Sequence, residues 1–292
     1  MGENMVPVIK IEGKNISSVW EKSVLAVWEK GIEIKTEYDR NYDQPSKDCT
    51  MIMVIKDPFS EPRIHLGFPG GFEDLEKYRQ EVVNGIHDHW INPKENKWTY
   101  TYHDRLFNYH LPEENYNKKI NQIEYTIEKL STSNYSRRAQ AITWIPFYDV
   151  FTYDPPCLQR IWCRILNIKN KKYLIMSSHW RSRDAYRAAF MNIFGLTCLQ
   201  KYIADKISEK TGEKIEVGQY TDISDSYHIY GESFDDFENR FLKITRERDF
   251  YNKNRVKSRT IRSDDPAVID GFEYGKKLLE IEKQTGQKGK TF

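Results

Sequence analysis

Cys157 follows Pro155-Pro156, whose fixed φ angles hold the chain leading to it, so its thiol can be placed rigidly and, as a thiolate, act as a nucleophile. The plainer reading, a small buried hydrophobe, is kept for Cys49, Cys163 and Cys198. Two short clusters, Ser136-Arg137-Arg138 and Trp180-Arg181-Ser182-Arg183-Asp184, set guanidinium groups beside hydroxyls. Together they can supply the charge-assisted, bidentate hydrogen bonds that a phosphate dianion requires, although either alone also fits a solvated face. Asn192 interrupts an apolar helical stripe, where an amide must find partners or cost about 1 to 3 kcal/mol. Its partner is either backbone or the edge of a heteroaromatic ring. His228 and Tyr230 fall on one face at the end of a strand, a pair that can grip hydroxyls or satisfy each other.

The elements that must position these residues follow from hydrophobic periodicity and turn residues. Val8–Ile11 reads as a strand and Asn15–Lys30 as a helix behind an Asn/Ser cap. Thr50–Ile55 is β-prone, Phe59–Gly71 is a Pro/Gly-rich loop, and Phe72–His87 reads as a helix burying Leu75, Tyr78, Val82 and Ile86, with Asp74 and Glu81 near the edge of that stripe. A helix over Asn117–Leu130 and a strand over Ala139–Pro146 precede the Asp154-Pro155-Pro156 turn. Cys157 then starts a strand, with Cys157, Ile161, Cys163 and Ile165 inward and Leu158, Arg160, Trp162 and Arg164 on the other face. After a strand at Tyr173–Ser178, the longest helical pattern spans Asp184–Lys210 and is expected to be the central buried helix, closed by Thr211-Gly212. Lys214–Tyr220 and Ser226–Tyr230 are strand-like, and Glu232–Phe292 is charged and helix-prone. No linker or repeat appears, which predicts a single α+β domain over residues 1–292.

Composition narrows the function class. With 292 residues, 39% hydrophobic and 30% charged, including 7 Trp, 19 Tyr and 14 Phe, the chain is expected to fold around a full core. Its 45 basic and 43 acidic residues are well mixed, so DNA binding is not expected and any anion must be met locally. No C-x-x-C pair or His cluster suggests a metal. Met1–Gly13 holds no apolar leader and no stretch approaches the roughly 20 apolar residues of a membrane span, so a cytoplasmic protein is expected.

In order and spacing, these pieces resemble the thymidylate synthase and pyrimidine hydroxymethylase family. The resemblance is carried by Ser136-Arg137-Arg138-Ala139 running to Trp144 and Pro146, by Pro156-Cys157, by Arg181-Ser182-x-Asp184 with Asn192 beyond it, and by His228-Ile229-Tyr230. Upstream, Glu81 matches the family's glutamate helix and Trp98–Tyr102 followed by Arg105 its tyrosine segment. The resemblance implies a mixed twisted sheet covered by helices, with core motifs over residues 72–235, a charged C-terminal extension from about residue 248, and dimerisation through the sheet. It further implies that Cys157 adds to C6 of a pyrimidine nucleoside monophosphate, dUMP being favoured, and that Asn192 binds N3 and O4. Glu81 and Tyr102, with Tyr100 the second candidate, would move protons. Arg181 and Ser182 would hold the phosphate, joined by Arg137 and Arg138 of the neighbouring subunit, and His228 and Tyr230 would hold the sugar. Asp184 would hold the pterin of 5,10-methylenetetrahydrofolate or a related reduced pterin, and Arg40 is a further phosphate candidate.

The chain departs from the pattern at Leu158 and Trp180, where the family has histidine and glutamine, and at Ala185–Met191, which lacks the family's glycine segment. No hydrophobic closing tail is recognisable in Gln284–Phe292, although Phe292 could serve. A loose lid would admit water and give a hydroxymethyl rather than a methyl product. Two enzyme readings therefore stand, methylation of dUMP and hydroxymethylation of dUMP, CMP or dCMP. The resemblance tilts base choice to uracil, because the family's deoxycytidylate hydroxymethylases commonly have aspartate at the position of Asn192. A third reading, an inactive nucleotide- or RNA-binding homologue, has no use for the nucleophile.

Overall fold

Asn15 caps the first helix as expected: its side chain accepts the Ser18 N–H at 3.1 Å and opens α1 (Ile16–Lys30) directly after β1 (Val8–Gly13). The computed structural model describes residues 5–40, 42–92, 95, 98–111 and 118–286; Asn117 and Phe292 lie outside them. The chain continues through β2 (Ile32–Ile34), β3 (Ser46–Ile55), β4 (Ile64–His65) and α2 (Phe72–Asn84). Next come α3 (Tyr102–Phe107), α4 (Gln122–Thr132), β5 (Gln140–Ile142), α5 (Pro146–Asp149), β6 (Leu158–Ile168) and β7 (Lys171–Asp184). The last third holds α6 (Ala189–Thr211), β8 (Ile215–Ile229), α7 (Phe234–Asp236), α8 (Lys243–Glu247), β9 (Thr260–Ile261) and α9 (Pro266–Thr285). This is an α+β fold. Among the described residues no helix is long and apolar enough to cross a membrane.

The main sheet runs β1-β3-β8-β7-β6-β5, with β2 also on β3. It is mixed: β1/β3 and β7/β8 are parallel, and β3/β8, β6/β7 and β5/β6 antiparallel. Against it lies α6, burying Phe190, Ile193, Phe194, Leu196, Leu199 and Ile203. Gln200, fully buried in that helix, donates to the carbonyls of Leu174 (2.8 Å) and Gly218 (3.2 Å). That pins the helix where the β7/β8 register shifts between Leu174 and Met176 and gives two ladder carbonyls a donor, while Gln200 Oε1 is itself buried without a partner.

Several boundaries differ from the sequence expectation. The expected strand at Lys214–Tyr220 and that at Ser226–Tyr230 are one strand, β8. The helix expected from Asp184 starts at Ala189, because Ser182–Asp184 still pair with Ser226–His228 and end β7. Leu158, expected on the open face, is fully buried: the β6/β7 register shifts between Leu158 and Arg160, and Gln159 is the extra residue that turns Leu158 inward. The helix expected to reach His87 stops at Asn84, since Gly85 takes φ +64° and closes it.

Candidate active site

Cys157 sits just before β6 at the bulge, its carbonyl accepting the Arg181 N–H at 2.9 Å. The thiol is half-buried and opens on a cleft of about 270 Å³ shared with Tyr38, Tyr153, Arg181, Ser182 and Tyr230. Arg181 braces the proline turn that leads to the cysteine: its Nη2 donates to the Pro155 carbonyl at 2.7 Å and its Nε to the Pro156 carbonyl at 3.1 Å. Burial pushes the Cys157 thiol up, as does Asp154, while Arg181 and Arg183 pull it down. The nearby arginines thus act in the direction expected for thiolate formation, but desolvation outweighs them. Arg183 itself is no phosphate ligand. It is buried in an ion pair with Asp222, its guanidinium over the Trp180 ring at 4.3 Å.

The next stretch of the site depends on a close helix approach. At Gly195 a Cβ would stand 2.8 Å from the Tyr78 ring, so only glycine lets Tyr78 of α2 lie flat over α6. The Tyr78 hydroxyl thereby reaches Asn192, one turn earlier, and accepts its Nδ2–H at 2.6 Å. Asn192 is 9% exposed, so this bond satisfies half of an otherwise buried amide. Burial drives the Tyr78 hydroxyl far up, helped by neighbouring Tyr102 and Glu81. Tyr102 is raised in turn by burial and by Cys157, and its oxygen accepts the Leu158 N–H at 3.4 Å. Tyr102 and Tyr78 are thus close enough to each other to interact electrostatically, Tyr102 also with the thiol and Tyr78 with Glu81, and Tyr78 is hydrogen-bonded to Asn192.

Glu81 belongs to a second cavity of about 240 Å³, lined by Asp74, Lys77, Tyr78, His87, Trp98 and Met191, and by Leu278 and Glu282 of α9. Because Gly85 turns the chain back, His87 Nδ1 meets Glu81 Oε2 at 2.8 Å. On its other side His87 Nε2 faces Glu282 Oε1 at 3.3 Å, the same oxygen to which Trp90 Nε1 donates at 2.8 Å. α9 comes this close because Gly275 packs on α2 where a Cβ would meet the Glu73 carbonyl at 2.8 Å. Flat and apolar surfaces from Trp98, Met191 and Leu278, ringed by carboxylates, suit a planar heterocycle with N–H donors along its edge.

Asp184 does not line either cavity. Its Oδ1 accepts the N–H groups of Tyr186 (2.9 Å) and Arg187 (2.7 Å), and burial, opposed by those bonds, pushes its carboxyl up to about 6. His228 is 3% exposed and its ring packs on Tyr230 at 4.5 Å. Arg137 and Arg138 are exposed beside β5, and neither guanidinium has a partner among the described residues. Ala139 pairs with Cys163, so they lie roughly 15 to 20 Å along the strand from Cys157 and do not join its cleft within one chain. Arg40 is tied to Asp43 and Glu232, each at 3.1 Å.

The sequence reading missed Tyr78 as a site residue, and also His87, Glu282 and the cleft wall Tyr38 and Tyr153. Gly195, three residues after Asn192, and the pair Gly271/Gly275 in α9 were the available signals of close approach.

The family model described as thymidylate synthase matches residues 66–277, more than half of the chain. A protein of Methanosarcina mazei named "Putative thymidylate synthase" is 32% identical over 234 residues, covering 78% of this chain and 93% of that one. One of the same name from Methanocaldococcus jannaschii is 31% identical over 225 residues, covering 75% and 90%. Among solved structures, thermostable thymidylate synthase A from Bacillus subtilis superposes with a TM-score of 0.56 at 18% identity, covering 78% of this chain and 84% of that one, a likeness of fold.

Proposed function

The chain belongs to the thymidylate synthase family, and we propose that it transfers a one-carbon unit from 5,10-methylenetetrahydrofolate, or a related reduced pterin, to C5 of a pyrimidine nucleoside monophosphate, methylating dUMP to dTMP. One observation carries this reading: a half-buried thiol shares a cleft with an arginine-serine pair, and nearby Tyr78 hydrogen-bonds the buried Asn192 amide.

In this reading Arg181 and Ser182 take the phosphate, and Tyr230, a cleft wall, and His228, which packs against Tyr230 without lining the cleft, take the sugar. The dianion leaves Arg181 bound and the cleft closed to water, and the base is presented to Asn192. The amide turns from Tyr78 to the N3 and O4 edge, donating to O4 as charge develops there. Cys157 gives its proton to solvent before the cleft closes, its sulfur adds to C6, making C5 a nucleophile, and the sulfur leaves C6 again as the product forms. The apolar walls and carboxylates around Glu81 fit a reduced pterin, which when bound supplies a methylene carbon and a hydride. Glu81, held by His87, carries protons at O4 and at the departing nitrogen, and Tyr102 relays the C5 proton. Asp184, which lines neither cavity here, remains the expected pterin contact once the cleft closes. Two copies pair through the sheet, so that Arg137 and Arg138 of each complete the phosphate site of the other. The protein works in the cytoplasm.

Incubating the protein with methylenetetrahydrofolate and each of dUMP, UMP, dCMP and CMP, then weighing the products, tests the reading. A methylated product from dUMP is expected. A hydroxymethyl product replaces methylation by the hydroxymethylase reading, and nucleotide binding without any product leaves the inactive homologue. Cys157→Ser should keep nucleotide binding and lose turnover, since a hydroxyl is a far poorer nucleophile at neutral pH; retained turnover sinks the mechanism.

A further inference from the structure

His228 is the most enclosed of the groups assigned to the nucleotide, and its Nε2 is buried with no hydrogen-bond partner. Its other nitrogen is engaged: Nδ1 stands 3.0 Å from Ser226 Oγ, and Ser226 Oγ donates to Asp48 Oδ2 at 2.6 Å. These three come together through the sheet register. Asp48 of β3 is the partner of His228 in β8, and Ser226 and His228 pair with Ser182 and Asp184 of β7. The residues between, Arg183 and Tyr227, turn to the core, where Tyr227 meets Ser23 of α1 at 2.8 Å. Asp48, Ser226 and His228 therefore share the face that carries Ser182, a cleft residue; the trio does not itself line the cleft, and His228 lies behind Tyr230, which does.

The direction of the hydrogen bonds follows from donor count. Burial raises the Asp48 carboxyl, and hydrogen bonds from Ser226 and from the Cys49 and Tyr227 N–H groups oppose it; ionised, the carboxylate only accepts, so the single hydroxyl proton of Ser226 goes to Asp48. The serine oxygen can then only accept from His228, which places the ring proton on Nδ1 and leaves a bare lone pair on Nε2. Desolvation pulls the ring down to about 4, so it is neutral at ordinary pH and one nitrogen must lack a proton.

Resting on the reading of the cleft as a nucleotide site, we propose that Asp48 and Ser226 are positioning residues that lock His228 in the Nδ1–H tautomer, so that Nε2 accepts a hydrogen bond from the 3′-hydroxyl of the bound nucleotide. The relay selects a ligand that donates at this point. A sugar lacking the hydroxyl leaves Nε2 buried and unpaired, which weakens binding by about 3- to 10-fold for one neutral hydrogen bond.

Two measurements test it on the full-length protein. Long-range ¹H–¹⁵N spectra of ¹⁵N-histidine-labelled protein, without ligand, report which ring nitrogen of His228 carries the proton, with His228→Gln identifying its signals. The expected result is Nδ1–H in the parent, a mixture or the Nε2–H form in Ser226→Ala, and recovery of Nδ1–H in Ser226→Thr. Calorimetric Kd values for dUMP and 2′,3′-dideoxyuridine monophosphate should differ by about 3- to 10-fold in the parent and in Ser226→Thr, and converge in Ser226→Ala. An Nε2–H ring in the parent, or unchanged tautomer and discrimination in Ser226→Ala, overturns the proposal while the nucleotide reading stands. A locked tautomer with no nucleotide binding overturns the nucleotide reading itself, and the ligand half of this proposal with it.

Discussion

Asp184→Asn separates the demands of folding from those of a site. Burial holds the Asp184 carboxyl at about 6 against its ordinary 3.8, so the folded chain binds a proton there more readily than the unfolded chain. Between those values the unfolded state carries fewer protons at this position, and stability falls as pH rises, reaching its full loss above the folded value. A shift of about 2 pH units corresponds to roughly 3 kcal/mol, reduced to about 1 to 2 kcal/mol because the side chain keeps some solvent contact. Asparagine retains an Oδ1 acceptor for the N–H groups of Tyr186 and Arg187 and carries no charge. The variant should therefore melt higher than the parent by about 2 to 5 °C near pH 7.5. Toward pH 3, below both values, the gap should close. Differential scanning calorimetry across that range reads both numbers, and turnover should fall in the same variant if the carboxylate serves the donor. An asparagine variant that melts lower near neutrality, or a gap independent of pH, refutes the argument.

Tyr78→Phe strands the Asn192 amide proton in a 9% exposed pocket, costing about 1 to 3 kcal/mol, and dUMP should raise the melting temperature of this variant more than that of the parent because the base restores a partner. Equal ligand-induced shifts would mean that the amide does not turn to the base. Mixing Arg138→Ala protein with Cys157→Ser protein should restore activity to a fraction of the dimers although neither parent is active, and a dead mixture after demonstrated subunit exchange contradicts a shared site. Asn192→Asp should move the kcat/KM ratio of dUMP to dCMP by on the order of 10² to 10⁴, and an unchanged ratio would reduce Asn192 to a satisfied core amide.

Elements with a clean period were legible from the residues alone. The cap at Asn15, the buried stripe of α6 and the inward Cys163 of β6 were each found where periodicity placed them. Legibility failed where a bulge or a left-handed glycine broke the period. Leu158 turned inward through Gln159, and Gly85 cut the second helix short and folded His87 back onto Glu81. Pairings between distant strands were also hidden. Arg183 falls in the second arginine-serine cluster, but its partner Asp222, which neutralises it, lies far along the chain and meets it only in the β7/β8 ladder.

What could not be foreseen has a common physical character. Near one end of the sheet the chain keeps a thiol raised by burial, a carboxylate raised to about 6, an imidazole Nε2 and an Arg183 Nε without partners, and a tyrosine hydroxyl deep under a helix. Each is destabilising taken alone, by the cost of desolvating a polar or charged group. Midway along α6 the Gln200 amide is half served: Nε2 donates to the carbonyls of Leu174 and Gly218, and Oε1 is buried without a partner. Groups that lower stability can persist together when a ligand completes them, and the Cys157 cleft and the Glu81 cavity fit that pattern, although buried unpartnered atoms also occur away from them at Ser131, Gln200 and Ser233.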